Sequence, residues 1–140
     1  MRVVIDTNVF VGACMGVGAL NRVIRECSAG QFSPLMGTAL LSEYEDVLGR
    51  QSLFQGCRLT RNERDELLDV FLARCQWTRI FYGWRPNLAD EADSHLVELA
   101  VAGNARRIVT RNLADLESGE LQFRQFVVMT PERLLQEMNQ

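Results

Sequence analysis

The chain has 140 residues, 47% of them hydrophobic and 24% charged, which predicts one globular domain over residues 1–140 with a single sizeable core. No apolar stretch is long enough to cross a bilayer, and the first apolar run lacks the basic flank of a signal peptide, so no membrane association is expected. The net charge of −3 argues against a passive nucleic-acid binder, but much less against a metal-dependent nuclease, whose acidic pocket bound cations would neutralise.

The cysteines, the histidine and the basic residues narrow the chemistry further. Four cysteines show no C-x-x-C spacing and only one histidine is present, so a Cys/His zinc site is not expected. Reduced thiols in a cytosolic protein are the simpler interpretation. All fifteen basic residues are arginine. The absence of lysine argues against receiver domains and haloacid-dehalogenase-like phosphatases, because both usually need a lysine in the pocket.

Short apolar runs alternate with helical stretches, and this alternation predicts βαβ units and a parallel sheet. The predicted strands cover residues 3–5, 32–36, 77–81, 107–110 and 126–129. The predicted helices cover residues 19–29, 39–49, 60–75 and 90–102, with a terminal helix that begins at Thr130-Pro131-Glu132. No internal repeat, low-complexity segment or linker divides the chain.

Local signals support some of these elements and weaken others. Thr38 is the candidate N-cap of the second predicted helix. Thr60 and Glu63 have the spacing of a capping box before the third helix. Pro34 weakens the prediction of the second strand, because proline cannot donate a hydrogen bond within a sheet.

Asp6 ends the first predicted strand and is followed by Thr7 and Asn8. A carboxylate at the end of a buried apolar strand is costly unless something compensates its charge. In open α/β sheets, ligands bind beyond the carboxyl ends of the strands, which is where Asp6 lies. Two interpretations are therefore open: Asp6 faces a cation or a reacting group, or it caps a turn with its side chain.

A second acidic group begins the helix over residues 90–102. Asp90, Asp93 and Val97 are spaced at i, i+3 and i+7, which places both carboxylates on one face of that helix. Acids in a first turn also interact favourably with the helix dipole, by about 0.3–1 kcal/mol each, and this structural interpretation stays open. Asp115 follows the fourth predicted strand, which can lie beside the first strand at the switch point of a doubly wound sheet.

The helix over residues 39–49 carries two further acids that periodicity does not separate. Glu43 and Glu45 flank its apolar stripe on opposite sides, and either can reach over the edge of the sheet. His95 is two residues from Asp93 and therefore on a different helical face. It is interpreted as a surface or boundary residue, which leaves little support for a serine or cysteine nucleophile with a histidine base.

A pocket formed by Asp6, Asp93 and one more carboxylate would contain only oxygen ligands. Such ligands suit hard cations, so Mg²⁺ or Mn²⁺ is the expected cofactor. Without a cation, the clustered carboxylates would repel one another and raise each other's pKa. A bound ion of this kind activates water and stabilises in-line displacement at phosphorus.

Four motifs carry these residues in order along the chain. They are V-V-I-D-T-N-V-F at the start, E-Y-E-D-V-L from Glu43, D-E-A-D-S-H-L-V-E-L-A from Asp90 and I-V-T-R-N-L-A-D-L from Ile108. Together they resemble the PIN-domain family, the ribonuclease fold of VapC-like toxins. The closing V-V-M-T-P-E-R-L-L is typical of one subgroup of toxins from toxin–antitoxin pairs. Each motif alone is weak, but the order is that of the family and the match spans essentially the whole chain.

The resemblance implies a three-layer α/β/α fold with a central parallel sheet of four to five strands. It also implies an acidic pocket that binds Mg²⁺ or Mn²⁺ and hydrolyses phosphodiester bonds of single-stranded RNA. The catalytic acids implied by the motifs are Asp6, Glu43 and Asp93, a match that selects Glu43 over Glu45.

Other positions of the motifs imply supporting roles. Asn8 and Thr110 match polar residues that orient ligands or water. Many family members have an aspartate where this chain has Asn112, which supplies an oxygen but no charge. The subgroup that the chain most resembles shares this asparagine and has an aspartate three residues later, here Asp115, and Asp90 can supplement it. The implied metal ligands are therefore Asp6, Asp93, Asp115 and Asp90.

The leading hypothesis is a metal-dependent endoribonuclease, the toxin of a pair whose partner is a small antitoxin protein. Arg111 and Arg107 are candidate contacts for RNA phosphates, although arginine stems packed along a strand are the simpler interpretation. The apolar-rich helices are compatible with a homodimer. Two alternatives remain: a non-catalytic PIN-fold binding or regulatory module, motivated by Asn112, and a phosphatase or nucleotide-binding domain. The absence of lysine, of G-x-G-x-x-G and of a P-loop makes the last one the weakest.

Overall fold

The computed structural model of the chain describes residues 1–80, 94–112 and 126–139. The strands are β1 (Arg2–Ile5), β2 (Ser33–Met36), β3 (Gln76–Trp77), β4 (Arg107–Val109) and β5 (Val127–Met129). The helices are α1 (Thr7–Cys14), α2 (Gly18–Ser28), α3 (Thr38–Leu48), α4 (Arg61–Arg74), α5 (Ser94–Gly103) and α6 (Pro131–Met138), with a 3₁₀-helix at Gln51–Phe54.

The five strands form one parallel sheet in the order β3-β2-β1-β4-β5. β1 lies at the centre, between β2 and β4, so the strand order reverses there. α5 contacts β1, β2 and β4, while α2 contacts α1, α4 and α6. The predicted α/β/α fold with a central parallel sheet is confirmed. The carboxyl ends of β1 and β4 meet at the reversal of strand order, which is where such sheets bind ligands.

The central strands are apolar because helices cover both faces of the sheet. The last three residues of β1 and the last two of β4 are each at most 1% exposed, as expected for inner strands of a parallel sheet. The same coverage extends just past the strand ends. Asp6 after β1 and Thr110 after β4 are consequently buried although both are polar.

Tyr44 attaches α3 to the end of β1. Its hydroxyl donates a hydrogen bond of 2.7 Å to the Ile5 carbonyl. Its ring packs against Phe10 and Phe71, with centroid distances of 5.6 and 5.9 Å. A buried tyrosine usually needs a partner for its hydroxyl, and this bond holds α3 next to the last residue of β1. Glu43, which precedes Tyr44, therefore lies at the same end of the sheet as Asp6.

β2 is an inner strand although it contains Pro34. The Ser33 nitrogen donates to the Met1 carbonyl at 2.8 Å, so the nitrogen of the next residue, Pro34, points away from β1. β3 pairs with β2 only from Leu35 onward. No hydrogen bond between strands is therefore lost at the proline, and the predicted second strand is confirmed.

Three local features differ from the prediction. α1 was not predicted, because its eight residues are mostly apolar and buried, and they lack the polar face that identifies a surface helix. Thr38 is the first residue of α3 and not its N-cap, which is Gly37. The third strand was predicted over residues 77–81. Of these, Trp77 alone belongs to β3, and residue 81 lies outside the described residues.

Two further predicted helix starts are confirmed, whereas the start predicted at residue 90 lies outside the described residues. Thr60 and Glu63 form the capping box of α4, and Pro131 is the first residue of α6. All four cysteines are free thiols. Within the described ranges, no single helix is long and apolar enough to span a membrane, and α1 with α2 meets that test only as a pair bent by 108°.

Candidate active site

Asp6 directly follows β1 and is the N-cap of α1. Its Oδ1 atom accepts a hydrogen bond of 2.7 Å from the backbone nitrogen of Thr7, which is a common role of aspartate at a helix start. Only 5% of Asp6 is exposed. Of the two interpretations that the sequence left open, the structure shows the cap, at the start of a helix, and a cation or reacting group beside Asp6 stays a prediction.

Thr110 holds the second oxygen of Asp6. Its Oγ1 donates a hydrogen bond of 2.8 Å to Asp6 Oδ2. The same hydroxyl accepts hydrogen bonds from Asn8 Nδ2 at 3.2 Å and from the Asn112 backbone nitrogen at 3.1 Å. A hydroxyl has one donor and two acceptor sites, so these three partners use all of them and fix its orientation.

Asn8 completes this network from the first turn of α1. Its Nδ2 also lies 3.3 Å from Asp6 Oδ2, and its Oδ1 accepts from the Arg111 backbone nitrogen at 3.2 Å. The chain that leaves β4 is thereby bound to the start of α1. Of the predicted supporting residues, Asn8 and Thr110 contact Asp6 directly, and Asn112 contacts Thr110 through its backbone nitrogen.

Glu43 reaches Asp6 through the Thr7 hydroxyl. Thr7 Oγ1 lies 3.1 Å from Glu43 Oε1 and 3.4 Å from Asp6 Oδ1. Because a hydroxyl has a single hydrogen, Thr7 donates it to the nearer acceptor, Glu43. Glu45, on the same helix, is exposed. The structure therefore brings Glu43, and not Glu45, next to Asp6.

His95 lies beside Glu43 on the side opposite to Thr7. Its Nε2 is 2.6 Å from Glu43 Oε2. The boundary position expected for His95 is confirmed, but the contact with Glu43 was not predicted. Helical spacing tests partners on one helix, and this partner lies on α3 while the histidine lies on α5.

The two carboxylates have opposite electrostatic environments. Burial raises the pKa of Asp6 above its ordinary value of 3.8, against the hydrogen bond from Thr110, and the charge of Glu43 raises it further. The hydrogen bond from His95 lowers the pKa of Glu43 below its ordinary value of 4.5, against the effect of burial. Neighbouring groups whose pKa values are shifted by burial and by specific partners are typical of functional sites.

Three of the predicted metal ligands lie outside the described residues: Asp90, Asp93 and Asp115. Among the residues that the structure describes, no group of three or more His, Cys, Asp or Glu side chains could hold a metal ion. Asp6 and Glu43 are the two predicted acids that the described part of the chain brings together. The other three acids remain predictions.

The two candidate RNA-binding arginines lie at opposite ends of β4. Arg111 follows Thr110 and is exposed, and its Nη1 lies 3.3 Å from the point that a Cβ on Gly12 would occupy, so its side chain runs along α1. Arg107 begins β4 and forms two hydrogen bonds to Glu137 of α6, at 3.0 and 3.4 Å. Arg111 therefore lies at the same end of β4 as Asp6, whereas Arg107 forms an ion pair at the other end.

Two residues of the network had no role in the sequence interpretation. Thr7 lies between Asp6 and Asn8 in the sequence, and this adjacency to two predicted site residues could have indicated its role. His95 is the single histidine and lies inside the third motif, but nothing in its spacing indicates Glu43. Contacts between helices that are distant in the chain become visible only in the folded protein.

Comparisons with known proteins agree with this fold. A family model described as PIN domain matches residues 2–114. A search of curated proteins finds no match. The chain is similar in structure to a chain in the crystal structure of VapBC2 from Rickettsia felis bound to a DNA fragment from their promoter. The TM-score is 0.60 and the sequence identity is 14%, and the match covers 93% of this chain and 98% of that chain. At this identity the similarity establishes the fold. Because the family model covers most of its length, the chain belongs to the PIN-domain family.

Proposed function

We propose that this chain is a Mg²⁺- or Mn²⁺-dependent endoribonuclease that hydrolyses phosphodiester bonds of single-stranded RNA. The observation that carries the proposal is a buried Asp6 carboxylate where the strand order reverses, with Glu43 on the other side of the Thr7 hydroxyl. Ligands bind at this point in α/β sheets. Membership of the PIN-domain family supports the same function.

The chemistry of the described donors fits a hard divalent cation. The carboxylates of Asp6 and Glu43, which both contact the Thr7 hydroxyl, are oxygen ligands of the kind that Mg²⁺ and Mn²⁺ prefer. Burial disfavours the ionised form of Asp6, so a nearby cation would stabilise that form. A bound ion lowers the pKa of water and polarises a phosphoryl oxygen. The proposed ligands are Asp6, Asp93, Asp115 and Asp90.

The protein's own side chains divide the remaining tasks. Glu43 is the proposed residue for holding the attacking water or helping to hold the ion, because an ionised carboxylate accepts hydrogen bonds and can take up a proton. Its lowered pKa keeps it ionised over a wider pH range. Asn8 and Thr110 fix the orientation of Asp6, and Asn112 supports Thr110 through its backbone nitrogen.

Arg111 is the proposed contact for an RNA phosphate. It is exposed, it follows Thr110 directly, and its backbone is bound to Asn8. A planar guanidinium forms two parallel hydrogen bonds with a phosphate. Because the protein carries a net charge of −3, a cationic side chain beside the acidic site would reduce its repulsion of the substrate.

We also propose that the chain is the toxin of a toxin–antitoxin pair and binds a small antitoxin protein. The closing V-V-M-T-P-E-R-L-L motif and the structural similarity to VapBC2 support this assignment. The gene directly upstream should contain a short open reading frame whose product co-purifies with this chain. Sedimentation of the purified chain would test separately whether it forms a homodimer.

Cleavage of single-stranded RNA by the purified protein with Mn²⁺ tests the enzymatic proposal. Asp6→Asn should lower the rate about 100-fold or more, the order expected for loss of a catalytic group. Asparagine is as good an N-cap as aspartate, so α1 should be retained in this variant. Asp69→Asn, at an exposed position of α4, is the matched control and should cleave at the wild-type rate. Equal activity of wild type and Asp6→Asn would refute the assignment.

A non-catalytic PIN-fold binding or regulatory module is the second candidate. It is favoured by Asn112, which stands where many family members have an aspartate. Calorimetric titration of the protein with Mn²⁺ separates the two functions. Saturable binding together with RNA cleavage supports the nuclease, whereas no binding at millimolar Mn²⁺ and intact RNA would support the non-catalytic module.

A further inference from the structure

We propose that His95 is a positioning residue for Glu43: its Nε2 donates a hydrogen bond that holds the Glu43 carboxylate toward Asp6. The catalytic purpose of this contact rests on the proposed function. The two atoms are 2.6 Å apart, and the side chains of His95 and Glu43 are 15% and 31% exposed. In such a partly buried site, water competes less effectively with the hydrogen bond than at an open surface.

The direction of this hydrogen bond follows from the chemistry of its partners. An ionised carboxylate has only acceptor sites, so the hydrogen between the two atoms belongs to Nε2 of His95. A neutral imidazole meets this condition when its proton is on Nε2, and an imidazolium meets it always. Nε2 of His95 therefore carries a proton whether the imidazole is neutral or charged.

Groups from two different helices contact the two oxygens of Glu43. Thr7 of α1 donates to Oε1 at 3.1 Å, and Nε2 of His95 on α5 lies 2.6 Å from Oε2. A glutamate side chain on an open helix surface samples several rotamers, whereas one held at both oxygens keeps a single carboxylate plane. Because the Thr7 hydroxyl also lies 3.4 Å from Asp6, the separation of the two carboxylates is set as well. Supporting partners of this kind hold a functional group near its working geometry.

A purely structural contact between α3 and α5 is the competing explanation, since the two helices pack against each other. A structural contact would change stability when it is removed and would leave the chemical step unaltered. A positioning contact changes the chemical step and is restored by another donor. The experiments below measure both properties.

Nitrogen NMR of the imidazole provides a test on the metal-free protein. With one histidine in the chain, both ring nitrogens are assigned without ambiguity. We expect Nε2 to be protonated at neutral pH, and its N–H proton to exchange faster with water in Glu43→Gln, because a neutral amide accepts a weaker hydrogen bond. Glu45→Gln, on the same helix but exposed, is the control and should change neither property. An unprotonated Nε2, or one that does not respond to Glu43→Gln, would overturn the proposal.

Cleavage kinetics provide a second test. His95→Ala should lower kcat for RNA about 10–100-fold, the range found when a partner that orients a site ligand is removed, with KM little changed. Glutamine keeps an N–H donor, so His95→Gln should recover most of kcat. Val101→Ala shortens another half-buried side chain of α5 and should stay near the wild-type rate. A wild-type kcat in His95→Ala, or an equal loss in Val101→Ala, would overturn the proposal.

The two tests separate this inference from the proposed function. Wild-type protein that cleaves no RNA while Nε2 responds to Glu43→Gln would refute the nuclease and leave the His95–Glu43 contact supported. Wild-type protein that cleaves RNA while Nε2 is unresponsive would refute the role of His95 alone.

Discussion

The two carboxylates of the site are held by two different kinds of wall. The sheet wall consists of Asp6, Asn8 and Thr110, which follow β1 and β4 directly. The helix wall consists of Glu43 on α3 and His95 on α5. In the sheet wall the partners of Asp6 include the backbone of α1 and a fully buried hydroxyl. In the helix wall the partners of Glu43 are two side chains.

This difference shows how one pocket can hold two acids in different environments. A buried carboxylate without partners would cost several kcal/mol, so Asp6 depends on groups that the fold itself places around it. Glu43 is more exposed and depends on a histidine, which lowers its pKa. The sheet wall thus provides a fixed anchor for the proposed ion. The helix wall keeps an ionised carboxylate within reach of water.

Thr110→Val would break the sheet wall and is expected to have the largest effect on stability. The variant keeps the shape of the side chain but removes a hydroxyl with three partners. Leaving buried polar groups unpaired costs about 1–3 kcal/mol, so the free energy of unfolding should fall by that amount in urea denaturation. Thr78→Val is the control, because its hydroxyl donates a long hydrogen bond of 3.4 Å to the Gln76 carbonyl, two residues away, and it should change stability by less than about 0.5 kcal/mol. A fully stable Thr110→Val protein would show that the network is not what holds Asp6.

Arg111→Ala and Arg107→Ala compare the two ends of β4. Loss of one charge-assisted hydrogen bond corresponds to about 1.5 kcal/mol, so Arg111→Ala should raise KM for RNA roughly tenfold. Arg107 pairs with Glu137 at the far end of the strand. Its replacement should leave KM unchanged and lower stability by about 0.2–1 kcal/mol. Steady-state cleavage kinetics and urea denaturation of both variants measure these effects. An equal rise in KM for both variants would mean that the carboxyl end of β4 is not the substrate side.

The sheet wall was largely predictable from the sequence, and the reason is local. Asp6 and Thr110 come directly after short buried strands, and parallel strands bring their carboxyl ends to one edge of the sheet. The order of strands and helices along the chain predicted that edge. Each strand could be recognised in the sequence because its apolar pattern involves only neighbouring residues. Even so, the inner position of β2 and the helical state of α1 were not evident. Both features depend on the strands and helices that pack against β2 and α1 in the folded protein.

The helix wall was less predictable, because its contacts join residues that are far apart in the chain. Periodicity left Glu43 and Glu45 equivalent, and the choice came from the resemblance to a family. In the structure, the hydroxyl of Tyr44 holds α3 against Ile5, which brings the preceding glutamate to the site. His95 lies 52 residues further along the chain, and only the packing of α3 on α5 brings it to Glu43.

The dependence of stability on pH provides the finest test of the two walls. The folded-state pKa of Asp6 is raised above 3.8, so the native state binds its proton more tightly than the unfolded state does. Its contribution to stability is then present below pH 3.8 and is lost as the pH rises through the folded pKa. The folded-state pKa of Glu43 is lowered below 4.5, so its contribution is present above pH 4.5 and is lost as the pH falls through the folded pKa.

This contrast should appear in the free energies of unfolding of wild type, Asp6→Asn and Glu43→Gln. They are measured in urea between acid and neutral pH, with a chelator present. As the pH rises, wild type should lose stability relative to Asp6→Asn and gain stability relative to Glu43→Gln. The chelator matters, because a bound cation would favour the ionised form of both carboxylates and hide the difference. Slopes of the same sign would mean that the two acids share one environment, and the distinction between a sheet wall and a helix wall would fail.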